Sequence, residues 1–87
     1  MSNEPLGEYP QLYVFRFVAQ RLPDVQGRIK RLVEIEVGPL PDDAVVERES
    51  RSGRYAAVHV TCLLQSEEQR RAIYVRVRQE PWVILGL

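Results

Sequence analysis

Cysteine occurs once, at Cys62, so the chain holds no disulfide of its own and no C-x-x-C pair. A thiolate metal quartet and a ferredoxin-like copper chaperone are thereby excluded. Asparagine also occurs once, at Asn3 in the opening segment. An acylphosphatase-type site, which needs an asparagine to place water beside an anion-cradling arginine, has no residue to use. The one histidine, His59, lies on a predicted strand with no serine–aspartate pattern to polarise it, and reads as a sheet-face residue. Charge of one sign is missing too: twelve basic side chains, of which only Lys30 is lysine, balance twelve acidic ones. A neutral chain has no global field to draw it to nucleic acid or anionic lipid. The longest apolar run, "WVILGL" at 82–87, is far short of the ~20 residues of a membrane span. The opening "MSNEPLGEYP" is acidic and proline-containing, unlike a signal peptide. The expectation is a soluble, cytoplasmic, non-catalytic protein with no metal and no other cofactor.

What is present is globular: 87 residues, 45% of them hydrophobic and 28% charged, suit one small domain. Residues 1–10, with Pro5, Gly7 and Pro10, read as a flexible arm, and 11–87 as the domain. "LYVFRFVA" alternates as a strand, with Tyr13, Phe15 and Phe17 on the inner face and Leu12, Val14, Arg16 and Val18 on the outer. From Pro23, placed in the first helical turn, the period changes. Val25, Ile29, Leu32 and Val33 make a buried helical stripe that Gly38, Pro39 and Pro41 end. "AVVERES" and "RYAAVHVTCLL" form a hairpin around "SRSGR". "SEEQ" at 66–69 is a capping box opening a second helix through Ala72, Ile73 and Val77, which stops before Pro81. "WVILGL" is the last strand. The order β-α-β-β-α-β in one short chain predicts an α+β, ferredoxin-like fold. Its four-stranded antiparallel sheet carries two helices on one face.

Three stretches carry a family resemblance. "YPQLYVFRFVA" from Tyr9 to Ala19 sets an aromatic–proline pair before aromatic-x-aromatic, a basic residue and a small one. "SRSGRYAAVHV" places Ser50, Gly53, Tyr55, Val58 and Val60 in a hairpin, and "AIYVRV" precedes a short apolar strand. Together they resemble the small YbeD-like bacterial proteins, a family without an established molecular function, over nearly the whole chain from Tyr9. The matching motifs are structural rather than chemical. The resemblance implies a ferredoxin-like fold similar to ACT regulatory domains, which bind amino acids beside an enzyme. Two positions depart from the pattern: Ile84 replaces a polar or basic residue, and Gly27 is not one of its glycines.

The loop Asp24-Val25-Gln26-Gly27-Arg28 resembles the acid-x-x-glycine turn of ACT domains, with Gln26 where proline is usual. Free amides at such a helix start form an anion site, making Asp24, Gly27 and Arg28 a candidate loop for a small-molecule ligand. The plainer reading is that Asp24 caps the helix and Gly27 is tolerated at about 1 kcal/mol. An RNA-recognition module shares the element order, and "LYV" with "GRYAAVHV" echoes its motifs. Stacking needs rings on the open face, however, whereas Ala57 stands at one such position and Tyr13 faces inward. Nucleic acid is therefore not an expected partner. Cys62 reads as a small buried hydrophobe. Asp42-Asp43 and Glu67-Glu68 read as a turn and a helix start.

The face of the sheet away from the helices is the remaining candidate. Val14, Tyr55, Ala57, His59, Thr61, Trp82 and Ile84 are expected there, relieved mainly by Arg16. The second and fourth strands are the expected edges, the second charged and the fourth without charge. The leading expectation is a regulatory or protein-interaction module that docks a protein partner or forms a homodimer. Its surface comprises Val14, Arg16, Tyr55, His59, Trp82 and Ile84, with Trp82 as anchor. The alternative is an ACT-like sensor of a small molecule such as an amino acid, acting through Asp24, Gly27 and Arg28. An N-terminal arm folded across the open face would hide that surface.

Overall fold

The computed structural model describes residues 7–49 and 53–86. Alternation builds the centre of the sheet. β1 (Gln11–Gln20) and β3 (Tyr55–Leu64) pair antiparallel over their full length, from Gln11 opposite Leu64 to Gln20 opposite Tyr55. Phe15, Phe17 and Ala19 of β1 and Ala56, Val58, Val60, Cys62 and Leu64 of β3 face one way and are buried. Two helices cover that face: α1 (Val25–Val37) contributes Val25, Ile29 and Val33, and α2 (Glu67–Arg78) contributes Ile73, Tyr74 and Val77. Each fully buried Phe, Ile, Leu or Val removes about 1.5–3 kcal/mol of apolar exposure. Phe15 and Phe17 stack with centroids 5.8 Å apart, and Tyr74 meets Phe15 edge-on at 5.0 Å.

β2 (Val45–Glu49), reached through a 3-10 turn at Asp42–Ala44, pairs with β3, and β4 (Val83–Gly86) pairs with β1. The resulting order β2-β3-β1-β4, with two helices on one face, is the ferredoxin-like α+β arrangement, and β2 and β4 are its edges. The hairpin loop at Ser50 to Ser52 lies outside the described residues, as does most of the expected arm, residues 1–6. Within the described part, Tyr9 packs against the core, and its hydroxyl donates to Glu67 Oε1 at 2.6 Å.

The helix ends follow cap chemistry. Ser66 Oγ accepts from Gln69 N at 3.1 Å, while Gln69 Oε1 reaches back to Gln65 N at 2.8 Å, one residue beyond an ideal capping box. Gly38 closes α1 at φ 87°, a conformation that suits glycine. Pro23 is not in the first turn as the pattern predicts. It precedes the cap, Asp24, whose φ of 55° turns the chain before Val25 begins the helix. Across the helix pair, Arg76 Nη2 donates to Glu36 Oε2 at 2.8 Å and Gln69 Nε2 to the Glu36 carbonyl at 3.0 Å.

Candidate functional site

Because side chains alternate across a strand, burying the odd residues of β1 turns Leu12, Val14, Arg16, Val18 and Gln20 to the uncovered face. In β3 the same rule presents Tyr55, Ala57, His59, Thr61 and Leu63. Register then sets neighbours: Leu12 lies opposite Leu63, Val14 opposite Thr61, Arg16 opposite His59, and Val18 opposite Ala57. β2 adds Val46, opposite His59, and Arg48, opposite Ala57. Val14, Arg16, Tyr55 and His59 thus lie on one face, with Arg16 and His59 directly opposite and Tyr55 at the far end, opposite Gln20. Leu12 and Leu63, 70% and 48% exposed, form the most apolar end of the face. Leu63, Val46 and Arg48 were missed as candidates: Leu63 shares parity with Tyr55 and His59 on its own strand, whereas the faces of β2 follow only from its register with β3.

The charge on this surface has one sign. Arg16 and Arg48 flank His59, and no carboxylate stands among these positions. Burial first, then the two guanidiniums, hold the His59 pKa below its ordinary value, so the imidazole is neutral near pH 7. The face is therefore apolar at one end and basic, with permanent charge, near its middle.

Trp82 is not on this face. It stands just before β4, where its carbonyl accepts from Gln20 N at 2.8 Å. Its ring lies on the helix side, in a groove of about 260 Å³ with Arg28, Arg31, Leu32 and Ile35 of α1, and its indole N–H donates to Glu80 Oε1 at 3.1 Å. Trp82 lies in the turn ahead of β4, outside the strand's alternation. The residue pattern predicts "WVILGL" as one strand, whereas β4 begins at Val83, so the alternation applied to Trp82 does not hold there. Within β4 the register against β1 shifts between Val18 and Ala19: Leu85 pairs with Val18 and Val83 with Ala19, leaving Ile84 in the bulge. Ile84, 52% exposed, sits in this edge bulge.

The first strand–helix loop is occupied by its own side chain. Asp24 Oδ1 accepts from Gly27 N at 3.2 Å, and the Asp24 carbonyl accepts from Arg28 N at 2.9 Å. A β-carbon on Gly27 would lie 2.5 Å from the Asp24 carboxylate, so glycine here makes room for the cap. An incoming anion would meet that carboxylate. Arg28 turns away, donating from Nε to the Pro23 carbonyl at 3.0 Å and lining the Trp82 groove. Arg28 thus belongs with Trp82, not with Asp24 and Gly27.

Other reactive groups are quiet or engaged. Cys62 is buried and its thiol is pushed up to about 11 by desolvation, so it is protonated and unreactive at neutral pH. Asp42 takes a 2.9 Å ion pair from Lys30. Among the described residues no cluster of three or more His, Cys, Asp or Glu side chains is placed to hold a metal. None of the described helices is long and apolar enough to cross a membrane. On α2, Glu67 accepts from Tyr9 and from both Nε and Nη2 of Arg70. These donors pull its carboxyl down to about 2, the Arg70 bonds contributing most. The Tyr13 and Tyr74 hydroxyls meet at 2.9 Å beside it.

A family model described as "Protein of unknown function (DUF493)" matches residues 4–87. A UPF0250 protein from Chromobacterium violaceum is 30% identical over 89 residues, spanning 100% of both chains. The solution structure of protein HP0495 from H. pylori is similar with a TM-score of 0.77 at 21% identity, over 99% of this chain and 90% of that one. At that identity the structural likeness speaks for the fold alone. The sequence matches agree with the resemblance to small bacterial proteins of unestablished function.

Proposed function

This chain belongs to the DUF493 family of proteins of unknown function, and we propose that it acts as a non-catalytic interaction or regulatory module that docks a protein partner on the open face of its sheet. The observation that carries this reading is the exposed Leu12–Leu63 pair at one end of a face that neither helix covers, with Arg16 and Arg48 farther along the same face. Apolar area supplies affinity, and fixed charge of one sign supplies selectivity. Two copies stacked face to face would set arginines against arginines, so the face suits a partner segment with both apolar and acidic side chains. A stacking platform for RNA is not supported, because Tyr13 points to the core and spends its hydroxyl on Tyr74. The alternative, an ACT-like sensor at Asp24, Gly27 and Arg28, loses its distinguishing signal once Gly27 is explained by the Asp24 cap.

The test is capture from native cell extract, identification of the bound protein, and titration with that protein once purified. Leu63→Arg and Arg16→Glu should each weaken binding at least tenfold, and the partner's contact segment should be acidic. Ile35→Arg, on the outer side of α1, should change little. Binding lost with Ile35→Arg and kept with both sheet-face variants overturns the reading. So does self-association at high concentration that Arg16→Glu strengthens and that needs no other protein.

A further inference from the structure

A second surface, on the helix side of the sheet, carries chemistry that the open face does not share. Arg70, Tyr74 and Arg78 recur every fourth residue along α2, and Arg71 stands one position beside that row, so helical geometry gathers all four on one side. With Tyr13 and Gly86 they line a pocket of about 590 Å³. Among the described residues no carboxylate lines it. The pocket beside α1 differs, since Asp24, Glu34 and Asp42 there face Lys30 and Arg31. The Trp82 groove sets Glu80 beside its two arginines.

The guanidiniums are held in place before any ligand arrives. Arg70 is fixed by Glu67, its guanidinium carbon 5.8 Å from the Tyr13 ring centroid and 5.7 Å from that of Tyr74. Arg78 lies over Tyr74 at 4.9 Å and donates one Nη2 bond to the Gly86 carbonyl at 2.9 Å. Gly86 permits this approach, since a β-carbon there would stand 3.2 Å from Arg78 Nε. A guanidinium has five N–H donors, so Arg78 keeps most of its set for another acceptor. One hydroxyl proton bridges Tyr13 and Tyr74, and the other is free to turn into the pocket. The lining side chains therefore offer donors and positive charge. Glu67, the one carboxylate paired with these arginines among the described residues, offsets a single charge of three.

We propose that this pocket binds a phosphomonoester carried by a small molecule. Its oxygens accept from Arg70, Arg71, Arg78 and the tyrosine pair, and the rest of the molecule lies along Val75. The two uncompensated charges match a dianion. Three guanidiniums also present more donors than the two oxygens of a carboxylate can accept, whereas a phosphate has three oxygens for them. The volume lies within the usual range for a small-molecule site and leaves room beyond the phosphate itself.

Phenyl phosphate is the probe, titrated into the intact chain and followed by amide and arginine side-chain NMR at pH 7.5. Shifts should concentrate at Tyr13, Arg70 to Arg78 and Gly86. Arg78→Gln and the more exposed Arg71→Gln should each weaken binding at least fivefold with the spectrum still dispersed. Arg76→Gln, whose side chain pairs with Glu36, should leave it unchanged. Because the second phosphate proton binds with a pKa near 6, lowering the pH to 5 should weaken binding about tenfold. Equal binding of phenyl sulfate, or affinity indifferent to both arginine variants, overturns the proposal. Tighter binding to an oligonucleotide lacking terminal phosphates, or retention on phosphatidic acid vesicles with no response to phenyl phosphate, overturns the small-molecule assignment.

Discussion

The Asp24 carboxylate occupies the space into which a Gly27 side chain would project, 2.5 Å from the position of its β-carbon. A glycine in the first turn of a helix is ordinarily a cost. Here it is the condition for the cap that starts the helix.

Gly27→Ala should therefore give no net stabilisation in the natural background. The gain of about 1 kcal/mol from removing a helical glycine is offset by about 1 kcal/mol of lost capping as Asp24 is pushed aside. In an Asp24→Gly background, where no carboxylate is in the way and φ of 55° is readily adopted, the same change should stabilise by about 1 kcal/mol. Urea unfolding of the four proteins measures the difference. Equal effects in both backgrounds would show that the contact has no energetic consequence.

Acid should expose the role of Glu67. Its carboxyl is drawn from 4.5 to about 2 by Arg70 first and Tyr9 second. A folded-state pKa below the unfolded one means a contribution that is complete above about pH 5 and disappears as the pH falls toward 2. Glu67→Gln should flatten stability against pH within that window and leave its shape near neutrality unchanged. Tyr9→Phe should move the Glu67 titration, followed by carboxyl NMR, part of the way back up. A Glu67 midpoint that ignores Tyr9→Phe would mean that the 2.6 Å bond does not persist in solution.

Trp82 and Ile84 should behave differently despite their proximity. Trp82 packs against α1, so Trp82→Ala should cost about 2 kcal/mol, roughly half the loss at a fully buried aromatic. Ile84 is exposed in the edge bulge, and Ile84→Arg should stay within about 0.5 kcal/mol. Thermal unfolding distinguishes them. Two neutral outcomes would return Trp82 to the open face.

Cys62 should report opening of the core. With its thiol buried and held near 11, modification by Ellman's reagent at pH 8 should be slow in the native chain and fast in urea. Mild destabilisation, for example by Val60→Ala, should raise the native rate. Native labelling as fast as that of a free thiol would contradict the burial.

Much of this could be read directly from residue order. The element sequence, the inward Phe15 and Phe17, the outward Val14 and Arg16, the Gly38 stop and the Ser66 cap all follow from periods and caps. Those signals lie within a few neighbouring residues, where backbone geometry alone dictates the outcome. The β1–β3 pairing keeps that parity intact across ten residue pairs, so faces assigned one strand at a time also agreed with one another.

Tertiary structure decided what depends on contacts between distant segments. Trp82 lies in the turn before β4 and packs against α1, where the alternation of a strand does not reach. The Asp24–Gly27 contact needed a backbone turn at φ 55° that no residue count announces. The pocket of Arg70, Arg71 and Arg78 needed β1 and the Gly86 end of β4 to lie beside α2. Each of these residues reads, by itself, as an ordinary solvated charge. Local periodicity determined which face each central strand turns to the core, but only packing decided which charges and rings share a cavity. That choice depends on distances between residues up to 73 positions apart, as between Tyr13 and Gly86 in this pocket.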